Sequence, residues 1–283
     1  MNFSLIGASG YIASRHINAI EKLGGKILIY HDITRNLSLE ESGVKFIESE
    51  DNFFDFVKTN KIDYCVICCP NFLHFKMICL SLNAGSEVIS EKPLCLTSEE
   101  LYEIEKISSE KKLNVYTIMQ LRLHPVAKKL RNLADHVQKN NLRQNSIIKF
   151  ITPRDNAYLK SWKTNKELSG GILFNLGVHY FDLLIQAFGE PIESNIEYID
   201  SLNAKGLTKF KNLDVDWIFS IIPSNEKKIN PERVFTINKE NINFSKVDND
   251  LHVENYIEIL DHKNFSIADI KDTMNFMFNL NKE

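Results

Sequence analysis

The chain has 283 residues, of which 43% are hydrophobic and 25% are charged, and its formal net charge is -3. This length exceeds one typical core, so we expect two domains. No basic patch dominates, which argues against a nucleic-acid partner. No apolar run approaches the roughly 20 residues that span a bilayer. The first residues lack the basic segment of a signal peptide, so we expect a cytoplasmic protein without a membrane span.

The first 120 residues alternate strand and helix patterns. Strand patterns cover residues 2–6, 26–30, 44–47, 64–69, 88–90 and 114–119, and helix patterns cover residues 11–23, 53–59, 73–83 and 98–110. Such a βαβ series predicts a doubly wound parallel sheet of the Rossmann type. We therefore predict a dinucleotide-binding domain over residues 1–120.

The remaining residues, 121–283, have a different pattern in which strands follow one another without helices between them. Strand patterns cover residues 146–152, 196–202, 208–210, 215–221, 234–237 and 242–244, and helix patterns cover residues 125–139, 170–188, 251–260 and 266–280. Successive strands predict a mostly antiparallel sheet with helices on one face, which is an α+β domain.

The cysteines favour free thiols over a disulfide framework, because they are few and clustered. They are Cys65, Cys68, Cys69, Cys79 and Cys95. Cys65 and Cys68 match the C-x-x-C pattern, but strand residues three apart point to opposite faces. We therefore predict buried structural thiols and no metal site.

A glycine-containing turn lies between the first strand and the first helix. It contains Gly7, Ser9, Gly10, Tyr11 and Ile12 in a G-x-x-G-x-x-A spacing. Backbone N–H groups at such a helix start can hold a pyrophosphate, so we predict that these residues bind a dinucleotide. A tight turn without a ligand is the alternative interpretation.

Asp32 stands at the carboxyl end of the second strand, where it can accept hydrogen bonds from both ribose hydroxyls and repel a 2′-phosphate. This position favours NAD over NADP. Arg35 weakens the inference, because a guanidinium can receive that phosphate.

Three further residues follow the fourth strand at the same predicted edge. Pro70 and Asn71 are predicted to line the nicotinamide-ribose side of the cofactor. His74 has two open interpretations, a cofactor contact or a helix-start residue.

Four segments resemble the glucose-fructose oxidoreductase, inositol dehydrogenase and rhizopine catabolism family (Gfo/Idh/MocA). They are residues 7–13, residues 70–74, the Glu91-Lys92-Pro93 turn and residues 170–182. The resemblance extends from residue 1 to about residue 260. Within the family, residues 6–16, 120–124, 158–163 and 175–179 resemble the UDP-N-acetylglucosaminuronic acid 3-dehydrogenases of surface-polysaccharide synthesis.

This resemblance implies roles that the chemistry supports. His179 would be the general base, because imidazole titrates near neutral pH. Lys92 would bind the same substrate hydroxyl and orient the cofactor, which Glu91 would also contact. Many relatives have an aspartate four residues before the histidine, where this chain has Asn175. An amide cannot relay a proton, so Asn175 is expected to hydrogen-bond a sugar hydroxyl.

The segment before the predicted catalytic helix is cationic and aromatic, as a nucleotide-sugar uronate would require. Arginine suits a carboxylate, lysine suits phosphate, and aromatic rings pack on a sugar or uracil. The candidate residues are Arg154, Tyr158, Lys160, Trp162 and Lys163, with a solvated loop as the alternative for each. Arg122 and His124 are predicted to face the same cleft. Trp217 is expected to pack in the sheet.

The resemblance therefore implies NAD-dependent oxidation of the C3 hydroxyl of a UDP-N-acetylglucosaminuronic acid-type sugar, with Lys92, Asn175 and His179 as catalytic residues. The substrate would lie between the nicotinamide and the second domain, which would also mediate homo-oligomerisation as a dimer or tetramer. Two alternatives stay open. One is a dehydrogenase of a free sugar or inositol, and the other is a catalytically silent dinucleotide-binding regulator.

Overall fold

The computed structural model describes residues 1–224, 231–244 and 250–282. The packing of the backbone divides the chain into two compact units. The first unit comprises Met1–Gln120 and Asn249–Ile270, and the second comprises Leu121–Asp248 and Lys271–Glu283. The segment Asn249–Ile270 therefore packs with the first unit, which differs from the predicted assignment of all residues after 120 to the second domain.

The first unit follows the predicted alternation of strands and helices. In chain order its elements before residue 120 are β1 (Asn2–Ile6), α1 (Ala13–Lys22), β2 (Lys26–His31), α2 (Leu37–Glu41), β3 (Lys45–Phe46), α3 (Glu50–Asn60), β4 (Tyr64–Ile67), α4 (Asn71–Asn83), β5 (Glu87–Ser90), α5 (Ser98–Lys111) and β6 (Val115–Thr117). The strands pair in the order β3-β2-β1-β4-β5-β6, and every neighbouring pair is parallel. This order confirms the predicted doubly wound sheet.

The central strands are buried because a doubly wound sheet carries helices on both faces. All four residues of β4 are buried, and β1 is buried from Phe3 to Ile6. Cys65 lies inside this core, where its Sγ is 3.0 Å from the Ser4 hydroxyl oxygen, which donates to it. Burial raises the pKa of the Cys65 thiol. All five cysteines are free thiols, as predicted; Cys65, Cys68 and Cys95 are buried, whereas Cys69 and Cys79 are partly exposed.

The second unit is built on a mixed sheet. In chain order the remaining elements are α6 (Pro125–Lys139), β7 (Gln144–Arg154), α7 (Asn156–Leu159), α8 (Lys166–Ser169), α9 (Val178–Phe188), β8 (Glu193–Ile199), β9 (Asn203–Lys209), β10 (Leu213–Pro223), β11 (Glu232–Ile237), β12 (Glu240–Asn241), α10 (Leu251–Leu260) and α11 (Ile267–Lys282). The strand order is β12-β11-β7-β10-β9-β8. Among the described strands of this second sheet, only the β7–β10 pair is parallel, so the predicted, mostly antiparallel sheet is confirmed.

Aromatic side chains fill the core of the second unit. Trp217 is fully buried on β10, and its indole N–H donates to the Thr208 hydroxyl at 3.0 Å. Phe181 packs edge-on against this indole, with ring centroids 5.6 Å apart. The expected sheet-packing role of Trp217 is therefore confirmed.

Helix α10 packs with the first unit because its buried face lies against the buried face of α1. The buried residues of α10 include His252, Asn255 and Tyr256, and those of α1 include His16. The side chain of Tyr256 meets His16 at 2.8 Å between its hydroxyl oxygen and Nδ1. Because the two residues are 240 positions apart, no local sequence pattern could predict this contact.

The predicted helix over residues 170–188 is not uniform. It contains a π-helical turn over Leu173–Gly177, which continues directly into α9. Turns of this kind are rare and often occur at functional sites. Gly177 ends the turn close to aromatic rings, since a Cβ there would lie 3.1 Å from the ring of Phe181.

A buried ion pair holds the second unit together around α9. The Arg122 guanidinium donates to both carboxylate oxygens of Asp182, at 2.8 and 2.6 Å, and the Thr273 hydroxyl donates to Asp182 at 2.8 Å. The side chains of Arg122 and Asp182 are only 10% and 2% exposed. Three segments distant in sequence thus meet at one carboxylate.

One helical stretch of the described residues, Lys166–Phe188, is long and apolar enough to cross a bilayer. Within its most apolar window, 72% is buried inside the protein. Core helices of this kind pass the same length and composition test, so the stretch is weak evidence for a membrane span.

The turn after β1 requires glycine at its first position. Gly7 has a φ of 82°, which favours a residue without Cβ. A Cβ there would lie 2.5 Å from the backbone nitrogen of Cys69. Both the backbone conformation and the approach of the segment after β4 therefore exclude a side chain at this position.

We expect Gly7→Ala to destabilise the protein more than Gly43→Ala, which serves as a matched control. Gly43 has a φ of 83° with no neighbouring atom within 4 Å, so alanine there costs only the left-handed backbone strain of about 1–2 kcal/mol. Alanine at position 7 adds a steric cost of about 1–3 kcal/mol. Urea unfolding measures both, and equal losses would contradict the close approach to Cys69.

We also expect Asp182→Ala to lower the free energy of unfolding by about 3–5 kcal/mol, because it leaves the Arg122 charge buried without its carboxylate. The matched control is Asp214→Ala, which removes the exposed pair between Asp214 and Arg143. That change should cost about 0–1 kcal/mol. Similar losses in the two variants, measured by urea unfolding, would contradict a stabilising role specific to the buried pair.

Candidate active site

The first unit presents its glycine turn at the start of α1. The N-cap residue, Ile12, has no side chain that bonds to the helix start, and the turn is closed by the Gly10 N–H donating to the Gly7 carbonyl at 3.2 Å. Ser9 is exposed, and Tyr11 is 85% exposed. Exposed backbone at an uncapped helix start fits a pyrophosphate, because the helix dipole is positive there.

Asp32 lies beside this turn. Its carboxylate accepts from the Ser9 N–H at 2.8 Å and from the Thr34 N–H at 3.0 Å, one bond to each oxygen. These bonds fix the carboxylate, and each oxygen keeps a lone pair for a ribose hydroxyl. The nearby Arg35 is paired with Glu40, so its guanidinium is already occupied. The arrangement fits NAD and disfavours a 2′-phosphate.

The segment after β4 contains Pro70, Asn71 and His74, which were considered as cofactor contacts, at the start of α4. Pro70 is the N-cap of α4 and Asn71 is its first residue, 6% exposed. His74 is fully buried, and its two ring nitrogens lie 2.7 Å from the Pro93 carbonyl oxygen and 3.0 Å from that of Cys69. Burial lowers the pKa of His74. His74 therefore holds two backbone segments, which favours a structural role over a cofactor contact among the two interpretations left open for it.

Glu91 also differs from its predicted role as a cofactor contact. One carboxylate oxygen lies 3.0 Å from His16 Nε2 and 3.6 Å from His252 Nε2, and the other accepts from the Lys92 N–H at 3.2 Å. The carboxylate is thus directed into the protein, and Lys92 is the residue of this turn that is left partly exposed. The Lys92–Pro93 peptide bond is cis.

In the second unit, four of the five predicted cationic and aromatic residues come together. The Arg154 guanidinium lies over the ring of Tyr158, 5.2 Å from its centroid. The Lys163 ammonium lies 5.3 Å from the same centroid and 5.7 Å from that of Trp162. Burial, and then the charge of Arg154, lower the pKa of Lys163. Lys160 differs, since its side chain is exposed at the end of α7.

The π-helical turn links this cluster to the predicted base. Asn175 lies within the turn, and its side-chain N–H donates to the Lys163 carbonyl at 2.8 Å. His179 follows on α9, partly buried, with Nδ1 inside the protein. The next residue, Tyr180, packs against Phe150 and Phe219 with ring centroids 5.6 and 5.8 Å away. Asn175 and His179 are therefore carried by one well-packed helical segment.

Arg122 and His124 both have protein partners in the second unit. Arg122 binds Asp182, as described above, and His124 is buried as the N-cap of α6, where its Nδ1 accepts from the Val126 N–H at 3.1 Å. These contacts give both residues structural roles, and their predicted place in the substrate cleft stays a prediction. The sequence showed that Arg122 and His124 follow the last strand of the first sheet, but it did not show that they would contact Asp182 and Val126.

Sequence reasoning missed three buried polar residues around Glu91, namely His16, His252 and Tyr256. The only local signal was a histidine on the apolar face of α1, at His16. His252 and Tyr256 lie more than 230 positions further along the chain, so their contact with α1 could not be found from spacing.

Two family models match the chain. The model of the Gfo/Idh/MocA oxidoreductase family described as an NAD-binding Rossmann fold matches residues 1–118, and that described as its C-terminal alpha/beta domain matches residues 145–219. The first match confirms NAD as the predicted cofactor. Together the two matches cover more than half of the chain.

Solved structures and curated sequences agree with this assignment. The structure is similar to the WlbA (WbpB) dehydrogenase from Thermus thermophilus, solved with NAD and UDP-GlcNAcA, with a TM-score of 0.89 and 29% identity, covering 99% of this chain and 94% of that one. An uncharacterised oxidoreductase from Synechocystis is 26% identical over 69% of this chain and 53% of its own length. D-glucoside 3-dehydrogenase from Escherichia coli is 28% identical over 53% and 40%.

The chain spans about half the length of the curated relatives it matches, but nearly the whole of the Thermus structure. The two units, the glycine turn with Asp32, and the matches to both family models agree with one another. This chain belongs to the Gfo/Idh/MocA oxidoreductase family.

Proposed function

We propose that this protein is an NAD-dependent dehydrogenase that oxidises the C3 hydroxyl of a UDP-N-acetylglucosaminuronic acid-type nucleotide sugar to the 3-keto sugar. The observation that carries the proposal is the cationic cluster formed by Arg154, Tyr158, Trp162 and Lys163 next to the segment of Asn175 and His179. The similarity to a dehydrogenase solved with NAD and UDP-GlcNAcA supports it.

The cluster has the electrostatics of an anion site. Arg154 and Lys163 approach the same Tyr158 ring although both are cations, and Lys163 is partly buried. Removing like charges from water is costly unless an anion compensates them. A diphosphate or a uronate carboxylate would supply that charge, and the rings of Tyr158 and Trp162 would pack on a sugar or a base. A neutral free sugar would leave the repulsion in place.

The reaction needs a base and a group that stabilises negative charge. In the proposed mechanism His179 takes the hydroxyl proton, and Lys92 donates a hydrogen bond to the same oxygen, where negative charge develops. NAD, which the glycine turn and Asp32 would hold, would supply the acceptor for the hydride of C3 and its two electrons. The Asn175 side chain orients the sugar while its N–H holds the loop of Lys163.

Two alternatives are distinguished by their ligands. A dehydrogenase of a free sugar or inositol would not need Arg154 and Lys163. A silent dinucleotide-binding regulator would not need a base, so it gives no reason for a histidine at position 179.

We further propose that the enzyme is a cytoplasmic homo-oligomer in surface-polysaccharide synthesis. An aminotransferase would consume its 3-keto product.

We expect His179→Ala to lower kcat by about 10²–10⁴-fold, because general base catalysis contributes a factor of this size. The matched control is His136→Ala, an exposed histidine on α6 of the same unit, which should leave kcat unchanged. NADH absorbance at saturating UDP-GlcNAcA measures both. A kcat for His179→Ala within about twofold of wild type would reject its role as the base. No turnover by the wild type, combined with tight NAD binding, would favour the regulator.

We expect Arg154→Ala and Lys163→Ala each to raise the KM for UDP-GlcNAcA by about tenfold or more, since hydrogen bonds to a charged group contribute about 1.5–3 kcal/mol. Lys160→Ala should raise it less, because that side chain lies outside the cluster. Arg131→Ala, an exposed arginine on α6, is the control. An unchanged KM in both cluster variants would instead support a substrate without a diphosphate or carboxylate.

A further inference from the structure

A buried cluster of one carboxylate and two imidazoles lies beside Lys92 in the first unit. His16, Glu91 and His252 are 0%, 9% and 4% exposed. His16 Nε2 lies 3.0 Å from Glu91 Oε1, and His252 Nε2 lies 3.6 Å from the same oxygen. The three residues come from α1, from the end of β5 and from α10. No part of the proposed reaction uses them directly.

The hydrogen bonds of the cluster have a consistent direction. Burial raises the pKa of the Tyr256 hydroxyl well above its ordinary value, so this group stays protonated and can donate to His16 Nδ1, 2.8 Å away. The other ring nitrogen of His16 then carries the proton that it donates to Glu91. Burial alone would raise the pKa of Glu91, but the hydrogen bond from His16 and the nearby His252 outweigh it and hold this pKa well below its ordinary value.

The turn that carries Lys92 is fixed on both sides by buried side chains. Glu91 Oε2 accepts from the Lys92 N–H at 3.2 Å. On the other side, His74 Nδ1 lies 2.7 Å from the Pro93 carbonyl oxygen. The residues on either side of Lys92 therefore contact buried histidines, while Lys92 itself is partly exposed.

We infer that Glu91 is a positioning residue for Lys92, and that His16 and His252 orient its carboxylate. The inference rests on the proposed catalytic role of Lys92. A carboxylate is required at position 91 because it accepts from two donors, His16 at one oxygen and the Lys92 N–H at the other. A glutamine has a single acceptor oxygen and would present its NH2 group to one of these donors.

The other use of such a donor set would be a divalent cation. The ligand atoms of His16, Glu91 and His252 all lie within 4.8 Å of one another. However, His16 Nε2 already lies at hydrogen-bond distance from Glu91 Oε1, and each oxygen of Glu91 has a protein donor. The geometry therefore favours a hydrogen-bonded cluster, and metal content becomes one outcome of the test.

A double-mutant cycle tests whether Glu91 acts through Lys92. We expect Glu91→Gln to lower kcat by about tenfold to a hundredfold, as small displacements of a catalytic group do. The Kd for NAD should change by less than about threefold. In a Lys92→Ala background, Glu91→Gln should have no further effect on kcat, because the group that it positions is gone. If the fold losses in kcat of the two single variants multiply in the double variant, the inference is overturned.

A second measurement does not depend on turnover. Hydrogen exchange at the Lys92 amide, followed by NMR, should accelerate in Glu91→Gln because its acceptor is lost. If the wild type oxidises no UDP-sugar, the proposed function fails, while this exchange rate still decides whether Glu91 holds the turn. Unchanged exchange at Lys92 overturns the inference even if kcat falls.

Two further variants complete the design. Glu103→Gln makes the same chemical change at an exposed position on α5 and should alter neither kcat nor exchange at Lys92. If Glu91→Gln does not fold, His252→Ala replaces it, and we expect faster exchange at Lys92 in that variant too. One equivalent of zinc in the purified protein, lost in His252→Ala, would overturn the hydrogen-bonded cluster in favour of a metal site.

Discussion

A carboxylate that is removed from water must be paired, and each unit of this protein contains one such carboxylate beside a proposed catalytic residue. In the first unit it is Glu91, which precedes Lys92 and binds His16 and His252. In the second it is Asp182, one helical turn after His179, which binds Arg122 and Thr273. Because an unpaired buried charge costs several kcal/mol, these partners are obligatory. The backbone next to each carboxylate is fixed as a consequence.

This constraint explains why several polar residues near the predicted site do not face a ligand. Arg122 and Glu91 were predicted to contact substrate or cofactor, and a cofactor contact was one of two interpretations for His74. In the structure all three bind protein groups. A titratable residue close to a functional motif can therefore serve to hold that motif in place, and its position alone does not show that it contacts a ligand. Lys92 and His179, in contrast, are predicted site residues whose side chains stay partly exposed.

The sequence predicted the parts of the fold that depend on local patterns. The order of strands and helices, the glycine turn with Asp32 and the two kinds of sheet all follow from spacings within a few residues or from turn chemistry. The partners of buried polar groups could not be predicted in this way, since His16 and Tyr256 are 240 positions apart. For the same reason, the membership of α10 in the first unit was missed.

In the second unit, the sequence also did not predict which side chains of residues 154–163 meet, nor the local shape of the helix that follows. The composition of residues 154–163 predicted a cationic and aromatic loop, but not that Arg154 and Lys163 would share the Tyr158 ring while Lys160 stayed outside. The π-helical turn over Leu173–Gly177 was also missed, because apolar periodicity does not distinguish one wider turn from a regular helix.

Asn175 acquires a physical explanation from this loop. Its side-chain N–H donates to the backbone carbonyl of Lys163, so the amide ties the cationic loop to the helical segment of His179. An aspartate, as in many relatives that the sequence resembles, has no proton to donate when ionised and would repel that carbonyl oxygen. An asparagine can thus hold the loop in this position, and the proposed base, His179, then has no carboxylate at position 175. On this argument, the asparagine at position 175 and the proposed anion-binding loop belong to one arrangement.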